Sequence, residues 1–150
     1  MSEPLGNFVC EPSPDHPGWN RWSIDIDGLF QSAALGEMLV RGEGPTSARL
    51  RMFPETRHAN LLGTVHGGVT LALMDIALFS TFRVLLGSGA PGAMTLDLSS
   101  QFLASARLGE PLDAVTEVLR ETGRLVFMRG LIEQGEARVA AYSATIRKPS

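Results

Sequence analysis

From Val69 to Leu86 nearly every residue is apolar, a run of about 18 residues that is too long for a buried strand and typical of a core helix. With His66, Gly67 and Gly68 just ahead of it, the run predicts one long helix over about residues 67–86. Its length approaches that of a membrane span, yet Asp75 stands near its middle, and a carboxylate at bilayer centre costs about 2.5–3.5 kcal/mol. The segment therefore reads as a helix buried inside a water-exposed protein, with no membrane as partner. A helix that is apolar on every side has to be enclosed by something. The 150 residues are enough to do so, since a domain of this size buries roughly 70% of the surface its unfolded chain exposes.

The rest of the chain supplies strands for the enclosure. Glu37 to Arg41, the turn-rich Gly42-Glu43-Gly44-Pro45, and then Ala48, Leu50 and Met52 alternating with Arg49, Arg51 and Phe53 predict a hairpin. After the helix, Met94, Leu96, Leu98 and Phe102 alternate with Thr95, Asp97, Ser99 and Gln101. Leu112 to Leu119, Leu125 to Glu133 and Ala137 to Arg147 follow, separated by turns at Glu121-Thr122-Gly123 and Gln134-Gly135-Glu136. The expectation is an α+β fold, five or six antiparallel strands curved around one buried helix. Residues 1–28 stand apart: four of the nine prolines fall at positions 4, 12, 14 and 17, without apolar periodicity, and Trp19 and Trp22 follow. This stretch is expected to form an arm laid over a single domain at 29–150.

Composition removes several classes of function. Thirteen basic against 16 acidic residues, net −3, carry no broad positive field for nucleic acid. Cys10 is the only cysteine, and the histidines at 16, 58 and 66 are too scattered for a zinc spacing, so disulfide and metal scaffolds drop out. The first 17 residues lack a basic stretch followed by an apolar one, and a reducing cytoplasm is the expected location. Gly87-Ser88-Gly89-Ala90-Pro91-Gly92 formally fits a dinucleotide fingerprint, but it follows a helix and precedes a strand, the reverse of what that motif needs. It reads as a plain loop. No G-x-S-x-G elbow occurs, and the only lysine is Lys148.

The informative stretch runs from Asn60 through His66-Gly67-Gly68 to Asp75. Asp75 is the only acidic residue between Glu55 and Asp97, and its helical neighbours are Leu71, Ala72, Leu78 and Phe79. A carboxylate in such a stripe is either tied into a hydrogen-bond network, for instance with Arg83, or kept for chemistry. Gly67 and Gly68 at a helix start can present free N–H groups to a developing oxyanion, or can simply let the backbone pack closely. Nine residues separate His66 from Asp75, which in a regular helix is about 13 Å of rise and roughly half a turn. One chain cannot bring both onto a small substrate atom, whereas a two-fold dimer can, and composite sites at a homodimer interface are therefore expected.

The pattern N-x5-H-G-G-x6-D at the start of a long apolar helix, with a hairpin before it and four antiparallel strands after it, resembles the hotdog-fold thioesterases of the PaaI-like, phenylacetate-degradation group. The likeness covers about Leu35 to Arg147. It implies hydrolysis of acyl-coenzyme A thioesters, with no cofactor beyond the coenzyme A of the substrate, in homodimers that commonly pair into homotetramers. By the same resemblance, Asp75 is the general base or nucleophile and the N–H of Gly67 polarises the carbonyl. His66 and Asn60 position the thioester, and Thr95 on the first strand after the helix holds the attacking water, with Asp97 and Ser99 as rivals. Gly68, Phe79 and Arg83 are the candidate substrate-binding residues. Arg57, Arg107 and Arg124 are further candidates for coenzyme A phosphates, while Phe79, Phe82, Met94 and Phe102 either shape an acyl tunnel or fill the core. Two other readings on the same fold are a non-catalytic acyl-ligand binding protein, which would ordinarily lack Asp75, and an acyl-thioester dehydratase or hydratase, which needs a differently placed acid/base pair.

Overall fold

The structure, a computed structural model, describes residues 3–87 and 91–150, so Ser88, Gly89 and Ala90 of the fingerprint-like loop lie outside the described residues. The apolar run forms helix α1, Gly67–Leu86. It is long and apolar enough to cross a membrane, yet Leu73, Met74, Ala77 and Leu78 are fully buried within the protein's own core. The strands are β1 Phe8–Pro12, β2 Asn20–Ile24, β3 Met38–Gly42, β4 Ser47–Met52, β5 Met94–Phe102, β6 Leu112–Glu121, β7 Leu125–Gln134 and β8 Ala137–Arg147. They make one antiparallel sheet in the order β1-β2-β3-β4-β6-β7-β8-β5, curled around α1 in the hotdog arrangement.

Among the described residues the sheet has eight strands rather than five or six, because the segment expected as an arm laid over the domain forms the β1–β2 hairpin and adds it to β3. Trp22 is a core residue, 1% exposed, and its ring stacks on Phe8 at 4.8 Å. The prolines permit this because they sit at the punctuation points: Pro12 ends β1, while Pro14 and Pro17 lie in the connection to β2. Trp19 does not enter the core. The guanidinium groups of Arg41 and Arg51 lie over its ring, 4.3 and 4.7 Å from the centroid, on the outer face of the sheet.

That outer face carries Arg41, Arg49 and Arg51. Arg49 on β4 donates to Glu43, Asp113 and Glu133, and Arg51 makes a two-pronged contact with Asp113, so one network ties β4 to β6 and β7. On the helix-facing side, Tyr142 of β8 lies across Gly130 of β7, and its hydroxyl meets that of Thr116 on β6 at 2.5 Å. Burial pushes the Tyr142 phenol well above its ordinary range, so it acts as a neutral hydrogen-bonding group.

Candidate active site

The sheet leaves one strip of α1 incompletely covered. Leu71, Asp75 and Phe79 follow one another along it at four-residue spacing, Leu71 exposed and the other two half-buried. Thr95 Oγ1 donates a 2.7 Å hydrogen bond to Asp75 Oδ1. Arg83 is not the partner of Asp75. It lies further along the helix, where it opposes the upward push that burial gives the Cys10 thiol.

A bulge selects Thr95 from its rivals. Thr95 pairs with Ile146 and Asp97 pairs with Thr145, leaving Leu96 unpaired between them. In an unbroken strand Thr95, Asp97 and Ser99 would share one face. The inserted residue reverses the alternation, so Thr95 turns toward the helix in register with buried Ile146, and Asp97 and Ser99 turn to the outer side and are exposed.

The start of the helix is built by a series of local hydrogen bonds. In the 3-10 turn Thr56–His58, His58 Nδ1 accepts from the N–H of Glu55 at 2.9 Å and Nε2 donates to the carbonyl of Ala34 at 2.8 Å. The carbonyl of His58 accepts from the N–H of His66 at 2.8 Å. Buried His58 thus fixes where the helix begins, a role marked in the sequence only by the capping-box spacing of Glu55 and His58. Asn60 shapes the loop that follows. Its Oδ1 accepts from the N–H groups of Leu62 and Thr64, and its Nδ2 donates to Thr64 Oγ1.

His66 is the N-cap of α1, and its Nδ1 accepts from the N–H of Gly68 at 2.8 Å. With Nδ1 as acceptor, the ring proton is on Nε2, available as a donor on the exposed side. A Cβ on Gly68 would come within 3.0 Å of His66 Nδ1, so the second glycine is what lets the ring fold back onto the helix. The N–H of Val69 goes to the carbonyl of His66. That of Gly67 has no partner among the described residues and is the free donor at the positive end of the helix.

Asp75–Thr95 and His66–Gly67 therefore form two half-sites along one helix, with the N-cap His66 about 13 Å of rise and half a turn from Asp75 and Gly67 about 12 Å of rise from it. A cleft of about 360 Å³ at the helix start is lined by Asn60, Thr64, Gly67, Thr70 and Phe102, with neither Asp75 nor Thr95 among its walls. Of the other candidates, Phe82 is a core residue, whereas Met94 and Phe102 are exposed. Arg57 is used internally, donating to Ala33 and Glu55, and Arg107 pairs with Glu110. Arg124 shares a cleft with Arg147 and Lys148.

Comparison with known proteins bears on what this arrangement is for. Residues 62–141 match the family described as the thioesterase superfamily. The human protein named acyl-coenzyme A thioesterase 13 is 33% identical over 97 residues, which span 62% of this chain and 65% of that protein, just under two thirds of its length. Among solved structures, zebra fish thioesterase superfamily member 2 superposes with a TM-score of 0.67 at 23% identity, covering 82% of this chain and 88% of that one. The E. coli PaaI protein from the phenylacetic acid degradation operon gives a TM-score of 0.66 at 19% identity, covering 79% and 83%. At those identities the two structures speak for the fold.

Proposed function

This chain belongs to the thioesterase superfamily, and we propose that it hydrolyses acyl-coenzyme A thioesters to the free acid and coenzyme A, in a homodimer whose two sites are each shared between subunits. The observation that carries the reading is the Asp75–Thr95 pair. The Thr95 hydroxyl occupies Oδ1 and orients the carboxylate, leaving Oδ2 to take a proton from water as that water attacks the thioester carbon. The oxyanion that forms is stabilised by the free N–H of Gly67 at the helix start of the partner. When the C–S bond breaks, the sulfur leaves with the proton first taken by Asp75, and the Nε2–H of His66 is the donor that holds the thioester beforehand. A thioester is activated enough for one base and one oxyanion donor to suffice.

The surface supports the dimer. Among the described residues β5 is an edge strand, paired with β8, and Met94, Leu96, Phe102 and Leu103 on or beside it are large apolar residues left exposed. Leu61 and Leu62, beside the helix start, are exposed as well. A long apolar edge is an aggregation site unless something covers it. A second copy of the chain covers this edge and supplies the missing half-site, and pairing of such dimers gives the homotetramer. The unpaired Cys10 fits a reducing, cytoplasmic setting.

The test is to incubate the purified protein with acetyl-, octanoyl-, palmitoyl- and phenylacetyl-coenzyme A and follow free thiol. Release from at least one ester is expected, and release from none overturns the reading.

A further inference from the structure

One apolar cleft is not accounted for by the half-sites. It has a volume of about 360 Å³, and its walls come from three places: Phe79 of α1, Ala93 just before β5, and the N-terminal segment with Leu5, Phe8, Ile24 and Leu29. The clefts beside Arg49 and Arg129 are lined by charged side chains, whereas the described residues lining this one include none. It lies where the two edges of the curled sheet approach each other over the uncovered strip of α1. Phe79 is one helical turn beyond Asp75, and Ala93 is two residues before Thr95, so the cleft continues the Asp75–Thr95 site along the helix.

The N-terminal segment is held in place by contacts at the start of β1. The backbone N–H and the side-chain amide of Asn7 both bond to the Asp25 carboxylate, at 2.7 and 3.0 Å, closing the open end of the β1–β2 hairpin. Phe8, stacked on Trp22, also lies 6.3 Å from the ring of Phe79 and ends the cleft. Leu5 stands on the rim, an apolar side chain 78% exposed. Residues 4–29 lie outside the stretch 62–141 that matches the thioesterase superfamily.

We infer that the cleft formed by the N-terminal hairpin and Phe79 holds the acyl chain of the substrate and sets a preference for medium-length over short acyl groups. The inference rests on the proposed thioester substrate, but its test does not depend on hydrolysis. Binding of S-octyl and S-ethyl coenzyme A, thioethers that cannot be hydrolysed, is measured by calorimetry for the wild type, Leu5→Asp and Leu29→Trp. The wild type should bind the octyl compound at least about tenfold more tightly, since each methylene moved from water into an apolar cleft adds to affinity. Leu5→Asp puts a charge on the rim and Leu29→Trp fills the cleft, and each should reduce that ratio at least about fivefold. Because Leu5 is exposed, its substitution leaves the core intact and keeps the test valid if Leu29→Trp folds poorly. Equal binding of the two thioethers by the wild type, binding of neither, or a ratio that stays within about twofold of wild type in both variants overturns the inference. Selective octyl binding without thiol release from any ester would instead overturn the hydrolase reading and leave the cleft assignment standing.

Discussion

The hydroxyl of Thr95 meets the carboxylate of Asp75 at 2.7 Å because a single unpaired residue, Leu96, turns Thr95 toward the helix. Two variants separate base from orienting group. Asp75→Asn keeps the acceptor for Thr95 but cannot take a proton, and kcat should fall at least about a hundredfold with the melting temperature nearly unchanged. Thr95→Val removes one hydrogen bond to a charged acceptor, worth about 1.5–3 kcal/mol, and should lower kcat by roughly one to two orders of magnitude with KM little affected. Near-normal kcat in Asp75→Asn would make the carboxylate structural.

The same bulge marks the limit of what the sequence discloses. The helix, the β3–β4 hairpin and the last four strands are legible because each follows a hydrophobic period, and Asp75 stands out because an apolar helix makes a carboxylate conspicuous. The choice of Thr95 over Asp97 and Ser99 is not legible from alternation, which places all three on one face, since a bulge is an event between strands and leaves no mark on the strand that carries it. The β1–β2 hairpin escapes for a different reason. Its strands are five residues each and lie among prolines, so their pattern is too short to outweigh the local turn chemistry, and burial of Phe8 and Trp22 decides the outcome.

Gly130 is the position at which the sheet tolerates no side chain. A Cβ there would overlap the Tyr142 ring and lie 2.6 Å from the carbonyl oxygen of Val115, and the backbone contact cannot give way cheaply. Gly130→Ala should cost about 1–3 kcal/mol as an overpacked site, lowering the melting temperature by about 2–4 °C per kcal/mol. Gly123→Ala, where nothing lies within 4 Å, is the matched control and should be nearly neutral.

Glu43 links the outer-face network to pH. Its hydrogen bond from Arg49, reinforced by Arg41, holds the carboxyl below the ordinary glutamate range, against the opposing effect of burial. A carboxyl with a lowered folded-state pKa stabilises the fold above its unfolded pKa, about 4.3, and that contribution is lost as pH falls through the folded value. Melting temperatures taken from pH 7 down to pH 3 should therefore fall for the wild type. Glu43→Gln should start lower at pH 7 and fall less steeply, the two curves converging at the acid end. Parallel curves would show that Glu43 contributes nothing to the acid limb.

Gly67→Pro is an unusually clean deletion of one N–H. The position is the first of α1, where proline is well tolerated, and His66 already has φ −61° and ψ 135°, the extended conformation that a following proline requires. A side chain there would meet Phe102 no closer than 3.6 Å. The variant should fold normally and lose about a hundredfold or more in kcat, as expected for removal of an oxyanion donor. It also decides whether sites are shared. Gly67→Pro chains lack the donor but keep Asp75, and Asp75→Asn chains lack the base but keep the donor. When equal amounts are unfolded together and refolded, about half of the dimers are mixed, and each mixed dimer has one site with both groups intact and one with neither. Activity near one quarter of the wild-type value per chain is then expected from two preparations that are each inactive. Recovery to that level requires His66–Gly67 of one subunit to face Asp75 of the other, and a mixture no more active than its components would place both half-sites in the service of a single chain.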